Sequence, residues 1–339
     1  MSSPAVAAPY TRAVVSAMRK LYPEALADKS FDNTGLLLEA PFDPLRRQMN
    51  SVLLTVDLTK AVADEAIERN DSIVVAYHPI IFRGLKALTL KDSQQQSLLR
   101  LAAEGISVYS PHTAVDCARG GLGDWLADIV SGTPHHPSQL SLKEKGLHLG
   151  SNQHTRYPIQ ATKVEGYPGA GMGRIVRFSK AVPLTDIIDR IGLGLGNPKG
   201  FPIAVPQGKQ ASDMMIKSIG ICAGSGGHLF SEMEKMGEEV DLLFTGELSH
   251  HEALAAIEKG KCVICLFHSN TERGFLHSVL KGQLESTIAE EWERIRMEER
   301  AKEGMSDEYF EALDDEHIEV HVSEVDRDPY GIMISKREL

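Results

Sequence analysis

Six short apolar runs, each ending in polar or glycine-rich residues, constrain the fold of this chain more than any other feature. The first three are SVLLTVDL at 51–58, DSIVVAYHPIIF at 71–82 and ISVYSPHT at 106–113. A second series follows as KSIGICAGSG at 217–226, VDLLFTGEL at 240–248 and KCVICLFHSN at 261–270. Helical patterns lie between them, and strands alternating with helices read as parallel α/β. Runs that are apolar throughout, without in-and-out alternation, are what a sheet covered on both faces requires. The runs end at Asp57, His78, His112, the AGSGG loop at 223–227, Glu247 and His268. In open parallel sheets, function gathers outside the carboxyl ends of the strands, where loops present side chains on a rigid frame.

The two series also resemble each other. His112-Thr-Ala-Val-Asp116 and His268-Ser-Asn-Thr-Glu272 share the form His-[Ser/Thr]-x-x-[Asp/Glu] after a strand. At 339 residues the chain exceeds what one core usually organises, at roughly 150 residues per domain. The sequence therefore predicts two similar halves, 1–130 and 213–339, with mostly parallel sheets. Between them, 131–212 reads as a small connecting region rich in Gly, Pro and His, with GYPGAGMG at 166–173 and IGLGLGNPKG at 191–200. Its GLGLG segment lacks the βαβ context and following acid of a dinucleotide fingerprint, and reads as turns.

Charge is distributed unevenly. Of a formal net charge of −11, most comes from residues 285–316, where 13 acidic side chains stand against 4 basic ones. Residues 284–303 put Leu284, Ile288, Trp292 and Ile295 on one stripe of an otherwise charged helix. The sequence predicts an acidic helix added at about 285–313 on the surface, either facing a partner or docked by that stripe. No basic face for nucleic acid is implied. No apolar run reaches the roughly 18 residues needed to span a bilayer, and the N-terminus lacks a secretory h-region. Four cysteines, at 117, 222, 262 and 265, make no disulfide framework and fit a reducing compartment. The expected location is the cytoplasm, with mitochondrion or nucleus as alternatives. Residues 1–23 carry Arg12, Arg19 and Lys20 without an acid, as transit peptides do, but Val14, Val15, Met18 and Leu21 favour an ordinary first helix.

Borderline divalent metals accept imidazole nitrogen and carboxylate oxygen. His268 and Glu272, or His112 and Asp116, are spaced to share a helix face, and His78 ends the most apolar strand. Each pairing has a plainer reading: Ser249-x-x-Glu252, Ser269-x-x-Glu272 and Thr113-x-x-Asp116 all match capping boxes, and a lone His78 fits a hydrogen-bonded core residue. The coincidence of three histidines and two carboxylates at one kind of location points to a metal site. Cys262 and Cys265, three apart on a strand, point to opposite faces and read as core. Ala223–Gly227 fits either a phosphate cradle at a helix start or a tight turn. His135, His136, His148 and His154 read as solvated loop residues, and His250 and His251 lie near enough in sequence to reach the site.

The chain resembles the NGG-one-interacting-factor-three-like family, also called GTP cyclohydrolase I type 2 homologues. The resemblance rests on SFDNTGLLLE at 30–39, TVDLT at 55–59, AYHPIIF at 76–82, PHTAVD at 111–116, AGSGG at 223–227, TGELSHHEAL at 245–254, FHSNTERGFL at 267–276 and DRDPYGI at 326–332. It covers roughly 10–130 and 215–335, leaving the middle and the acidic helix outside. It implies two similar three-layer α/β/α halves, a ring-like homo-oligomer and a two-metal centre. Carried over by position, the metal ligands fall on His78, Asp116, His268 and Glu272, with the two carboxylates able to bridge. The first histidine of the family's usual His-His pair is Tyr77 here. A phenol is a poor ligand below its pKa of about 10, so one of two ion sites is in question.

The resulting expectation is a metal-dependent hydrolase, cyclohydrolase-like or phosphoesterase-like, acting on a nucleotide or phosphorylated small molecule. It would use one or two zinc, iron or manganese ions and water as nucleophile. His112, Glu247 and Tyr77 are the catalytic candidates, the first two as proton carriers. The alternative is a non-enzymatic metal-binding scaffold or a partner of regulatory or transcription factors.

Overall fold

The computed structural model describes residues 6–133 and 152–335. His135, His136 and His148 lie outside these residues. The chain divides into two compact units, Met1–Val115 with Leu276–Arg327 and Asp116–Phe275 with Asp328–Leu339. All six apolar runs are strands, and both units have the expected α/β build.

The first unit holds a five-stranded sheet. Its strands are β1 (Gly35–Leu38), β2 (Met49–Thr55), β3 (Asp71–Ala76), β4 (Ser107–Ser110) and β13 (Glu319–Val322), in the order β1-β4-β3-β2-β13. Only β1 runs antiparallel to its neighbour. Helices α2 (Lys60–Arg69) and α3 (Ser93–Ala103) cover one face, where Leu53, Val74, Ala76 and Val108 meet Val62, Ala66 and Leu101. α2 starts because the Thr59 hydroxyl accepts from the Val62 amide, and it ends at Asn70 in left-handed conformation, a residue type that tolerates it. Helix α1 (Pro9–Leu21) begins with proline at its first turn and buries Tyr10, Val14 and Met18, as the spacing of its apolar residues predicts.

In the second unit six strands stand in the order β5-β8-β10-β11-β12-β9. The centre, β10 (Met215–Ser225), β11 (Leu242–Glu247) and β12 (Cys262–Cys265), is parallel. Antiparallel strands β5 (His154–Tyr157), β8 (Arg174–Pro183) and β9 (Ile203–Ala204) extend it on either side. Two short strands, β6 (Gln160–Ala161) and β7 (Gly171–Met172), form a separate hairpin. The helices here are α5 (Leu122–Ser131), α6 (Leu184–Gly194), α7 (Gly227–Lys235), α8 (His250–Glu258) and α9 (Asn270–Phe275); α4 (Thr113–Cys117) carries the chain in from the first unit. Phe230, Met233 and Ala256 of α7 and α8 pack on Ile175, Leu243 and Val263. Each sheet thus places its parallel strands in the same sequence, β4-β3-β2 and β12-β11-β10, which is the similarity that the His-[Ser/Thr]-x-x-[Asp/Glu] repeat announces.

The connections differ from the sequence boundaries at 130 and 212. Strands β5, β8 and β9, from the region read as a connector, belong to the second sheet. His154 is therefore on a strand, its Nδ1 2.7 Å from the Asn152 carbonyl, and not in a solvated loop. The acidic segment folds as α10 (Lys281–Arg300) and α11 (Asp307–Asp314) within the first unit. Leu284, Ile288, Trp292 and Ile295 are all buried, and Trp292 meets Tyr10 edge-on at 5.5 Å between ring centroids. The expected surface addition is instead a covering layer of the first core. Burying four such side chains stabilises the unit by roughly 1.5–3 kcal/mol each.

Candidate metal centre

In the first unit, His78 follows β3 and its Nδ1 lies 2.9 Å from Asp57 Oδ1, at the end of the neighbouring strand β2. Asp57 is itself fixed by its backbone, since the Thr59 amide and the Thr55 hydroxyl both donate to its carbonyl. Tyr77 is buried, with its ring edge-on to His78 and His112 at centroid distances of 5.1 and 5.5 Å. His112 sits in a left-handed turn after β4 (φ 34°), and its Nδ1 lies 2.7 Å from Asp32 Oδ1. Burial would raise the Asp32 carboxyl, but hydrogen bonds from His112 and Thr113 outweigh it and hold its pKa low. The Thr113 amide and hydroxyl both donate to Asp32. The capping role that the sequence assigns to Asp116 is thus taken by Asp32.

The second unit repeats this device. His268 follows β12, after Phe267 in left-handed conformation (φ 66°). Its Nδ1 lies 2.8 Å from Glu247 Oε1, at the end of the neighbouring strand β11. The Ser269 amide and hydroxyl both donate to Asp328, at 3.1 and 2.7 Å. The Ser269 capping box therefore does not form either, whereas the Ser249–Glu252 box does. Glu272 is 3% exposed, and its Oε1 stands 3.9 Å from His268 Nε2. Ligand atoms about 2.1 Å from one zinc ion lie roughly 3–4 Å apart, so these two can share an ion.

Asp116 belongs to the same unit. Burial raises the Cys222 thiol pKa strongly, and the negative charges of Asp116 and Glu272 raise it further. The charges of both carboxylates thus act on Cys222, near the end of β10. There Gly224 adopts φ +60°, and a Cβ on it would come within 2.9 Å of His268 Nε2 and 3.0 Å of Glu272 Oε1. Only glycine leaves that space open. The Gly224 amide donates to the Thr271 hydroxyl at 2.9 Å, tying β10 to the helix that carries Glu272.

Of the remaining candidates, His250 and His251 are exposed at the start of α8, their rings 5.3 Å apart. Cys265 packs with Val263 against the cluster around Met233, while Cys262 is buried outside it. Burial raises both thiols, Cys262 to about 11. Sequence reasoning gave Asp32, Asp328 and Thr271 no individual role and Gly224 only a place in the Ala223–Gly227 turn, although all four fall within the quoted SFDNTGLLLE, DRDPYGI, FHSNTERGFL and AGSGG segments.

The family description Duf34/NIF3 (NGG1p interacting factor 3) matches residues 9–303. The chain belongs to this family. The match runs through the middle region and through α10. Among relatives, the NIF3 homologue of Schizosaccharomyces pombe is 45% identical over 275 residues, covering 81% of this chain and 88% of that protein. NGG1-interacting factor 3 of Saccharomyces cerevisiae is 40% identical over 277 residues, covering 80% and 89%. A Bacillus cereus protein related to NIF3 has the same fold, with a TM-score of 0.64 at 18% identity over 98% of this chain and 100% of that one.

Proposed function

We propose that Asp116, His268 and Glu272, together with His78, hold one or two divalent ions, with zinc, iron or manganese suited to the donor set. The observation that carries this reading is the approach of His268 and Glu272 beside the end of β10, with glycine at a position where a side chain would fill the space; Asp116 enters, as His78 does, by its place in the family pattern. His78 enters by its place in the family pattern, and its Nδ1 has the same kind of carboxylate partner as that of His268. A carboxylate on Nδ1 keeps the proton there and leaves the Nε2 lone pair for a metal.

On this reading the chain is a metal-dependent hydrolase of a nucleotide or phosphorylated small molecule. A divalent ion would acidify water and polarise a phosphoryl oxygen. The protein's own residues would then orient and relay: Glu247 orients His268, and His112, its ring fixed by Asp32, would accept or return a proton at Nε2. The rings of Tyr77, His78 and His112 all meet one another edge-on, at centroid distances of 5.1, 5.5 and 5.4 Å, and Tyr77 contributes a phenol where the usual pattern of the family has imidazole.

The test is turnover of a panel of nucleotides and phosphoesters by protein loaded with each metal, repeated with His268→Ala. Activity that disappears in the variant supports the hydrolase. A second reading is favoured by the name of the budding-yeast relative, an interacting factor at 40% identity: a metal-binding scaffold for a regulatory protein. Metal retained by the wild-type chain without turnover of any panel member would favour that reading. We also propose a ring-like homo-oligomer, which light scattering on the eluting protein tests directly.

A further inference from the structure

The glycine-rich GYPGAGMG segment that the function leaves unused leads directly into Arg174. This side chain is 1% exposed at the start of β8. Its Nε and Nη2 donate to the two oxygens of Asp124 at 2.8 and 3.1 Å, and Nη1 donates to the carbonyls of Gly171 and Gly173 at 2.6 and 2.8 Å. Nη2 also donates to the Ala118 carbonyl at 3.1 Å. The positive φ of Gly173 (59°) lets the GMG turn curl its carbonyls onto that guanidinium, a conformation open to glycine at no steric cost.

Ala118 is two residues beyond Asp116, and its carbonyl also accepts from the Gly121 amide at 3.1 Å in the turn that follows. Helix α4 is only five residues long, too short to hold itself together. The loop is gripped from both sides instead: Arg174 takes the Ala118 carbonyl, while Asp124 accepts from the Gly120 amide at 2.7 Å. Arg174 is also in register with Ile221 of β10, one residue before Cys222 and three before Gly224, the strand end beside His268 and Glu272. One guanidinium therefore connects the loop after Asp116 to the strand against which the other two ligands pack.

We infer that Arg174 is a positioning residue for the Asp116 carboxylate, holding the 116–124 loop against β10 through its fork with Asp124 and its bond to the Ala118 carbonyl. This rests on the metal reading of Asp116. Lysine cannot replace it, because an ammonium has no planar fork to span Asp124 and three carbonyls.

The experiment is a double-mutant cycle on full-length protein, with zinc and manganese affinity and thermal stability measured together. Arg174→Gln and Arg174→Lys should each weaken metal binding by about tenfold or more. In the Asp116→Ala background, Arg174→Gln should change the residual affinity by less than twofold, because its effect passes through Asp116. Should Arg174→Gln alone fail to fold, the neutral pair Arg174→Gln with Asp124→Asn leaves no buried charge unpaired and serves in its place. Equal weakening in both backgrounds, or wild-type affinity in a folded variant, would overturn the positioning role. A wild-type chain that binds neither metal would overturn the metal reading itself and this inference with it.

Discussion

The Nδ1 of His268 lies 2.8 Å from Glu247 Oε1, and Glu247 precedes it by 21 residues. The Nδ1 of His78 lies 2.9 Å from Asp57 Oδ1, again 21 residues earlier. In each unit the acid ends one parallel strand and the histidine follows the next. The spacing is that of a strand, a helix and a return strand, so the pair is a product of the βαβ unit itself. Carboxylates in this place orient a metal ligand and raise its basicity.

If Glu247 orients His268, Glu247→Gln should lower metal affinity by about 10–100-fold. If it is the proton carrier, metal stays bound and turnover falls with an altered pH profile. Metal titration beside a pH–rate series separates the two roles, and unchanged metal affinity would exclude the orienting one.

Gly224→Ala should abolish tight metal binding while the protein remains folded. The added methyl lies 2.9 Å from His268 Nε2 and 3.0 Å from Glu272 Oε1, inside the space an ion needs, and the positive φ adds strain of about 1 kcal/mol or more. Circular dichroism and elemental analysis of the same preparation check both parts. Full metal content in the variant would show that the ion sits elsewhere.

Tyr77 bears on stoichiometry. On the resemblance to the family's usual His-His pair, this buried ring takes the place of one imidazole, so the wild-type chain should purify with fewer than two equivalents of metal. Tyr77→His should raise the occupancy or affinity. Two tight equivalents of zinc or manganese in the wild type would contradict this and point to a substitute ligand.

The strands and the first helix were legible because each depends on local apolar pattern. The caps were not. Ser269 and Thr113 match the capping-box pattern as well as Ser249 does, yet only Ser249 forms one. Asp328 and Asp32, 59 and 81 residues away in sequence, reach the other two amides first. Nor does spacing alone show that β8 joins β10 or that α10 lies on the first core, because both are pairings between distant segments. The stripe of Leu284, Ile288, Trp292 and Ile295 was legible within the acidic segment, but not the core that it covers.

That stripe carries two buried acids, and they give the last prediction. Glu291 and Glu299 are each 1% exposed. Glu291 is bonded by Arg294 at 2.7 Å and paired with Lys20 of α1; Glu299 accepts from Tyr309 at 3.0 Å and pairs with Arg12. Burial would raise the Glu291 carboxyl, but bonds from Arg294, Lys20 and Ser16 outweigh it and hold its pKa at about 2. A folded value below the ordinary 4.5 means the ionised group stabilises the fold above pH 4.5. That contribution is lost as pH falls through about 2. Glu291→Gln should therefore cost about 1–3 kcal/mol at pH 7, the range for a buried group losing charged partners. The gap to wild type should close progressively below pH 4.5. Replacing 285–313 by a short linker should go further and expose the core under Tyr10, giving insoluble protein. Denaturant melts of Glu291→Gln and wild type at pH 7, 4 and 2.5 decide the electrostatic part: a difference that stays constant across the series would mean that Glu291 acts by packing and not by charge.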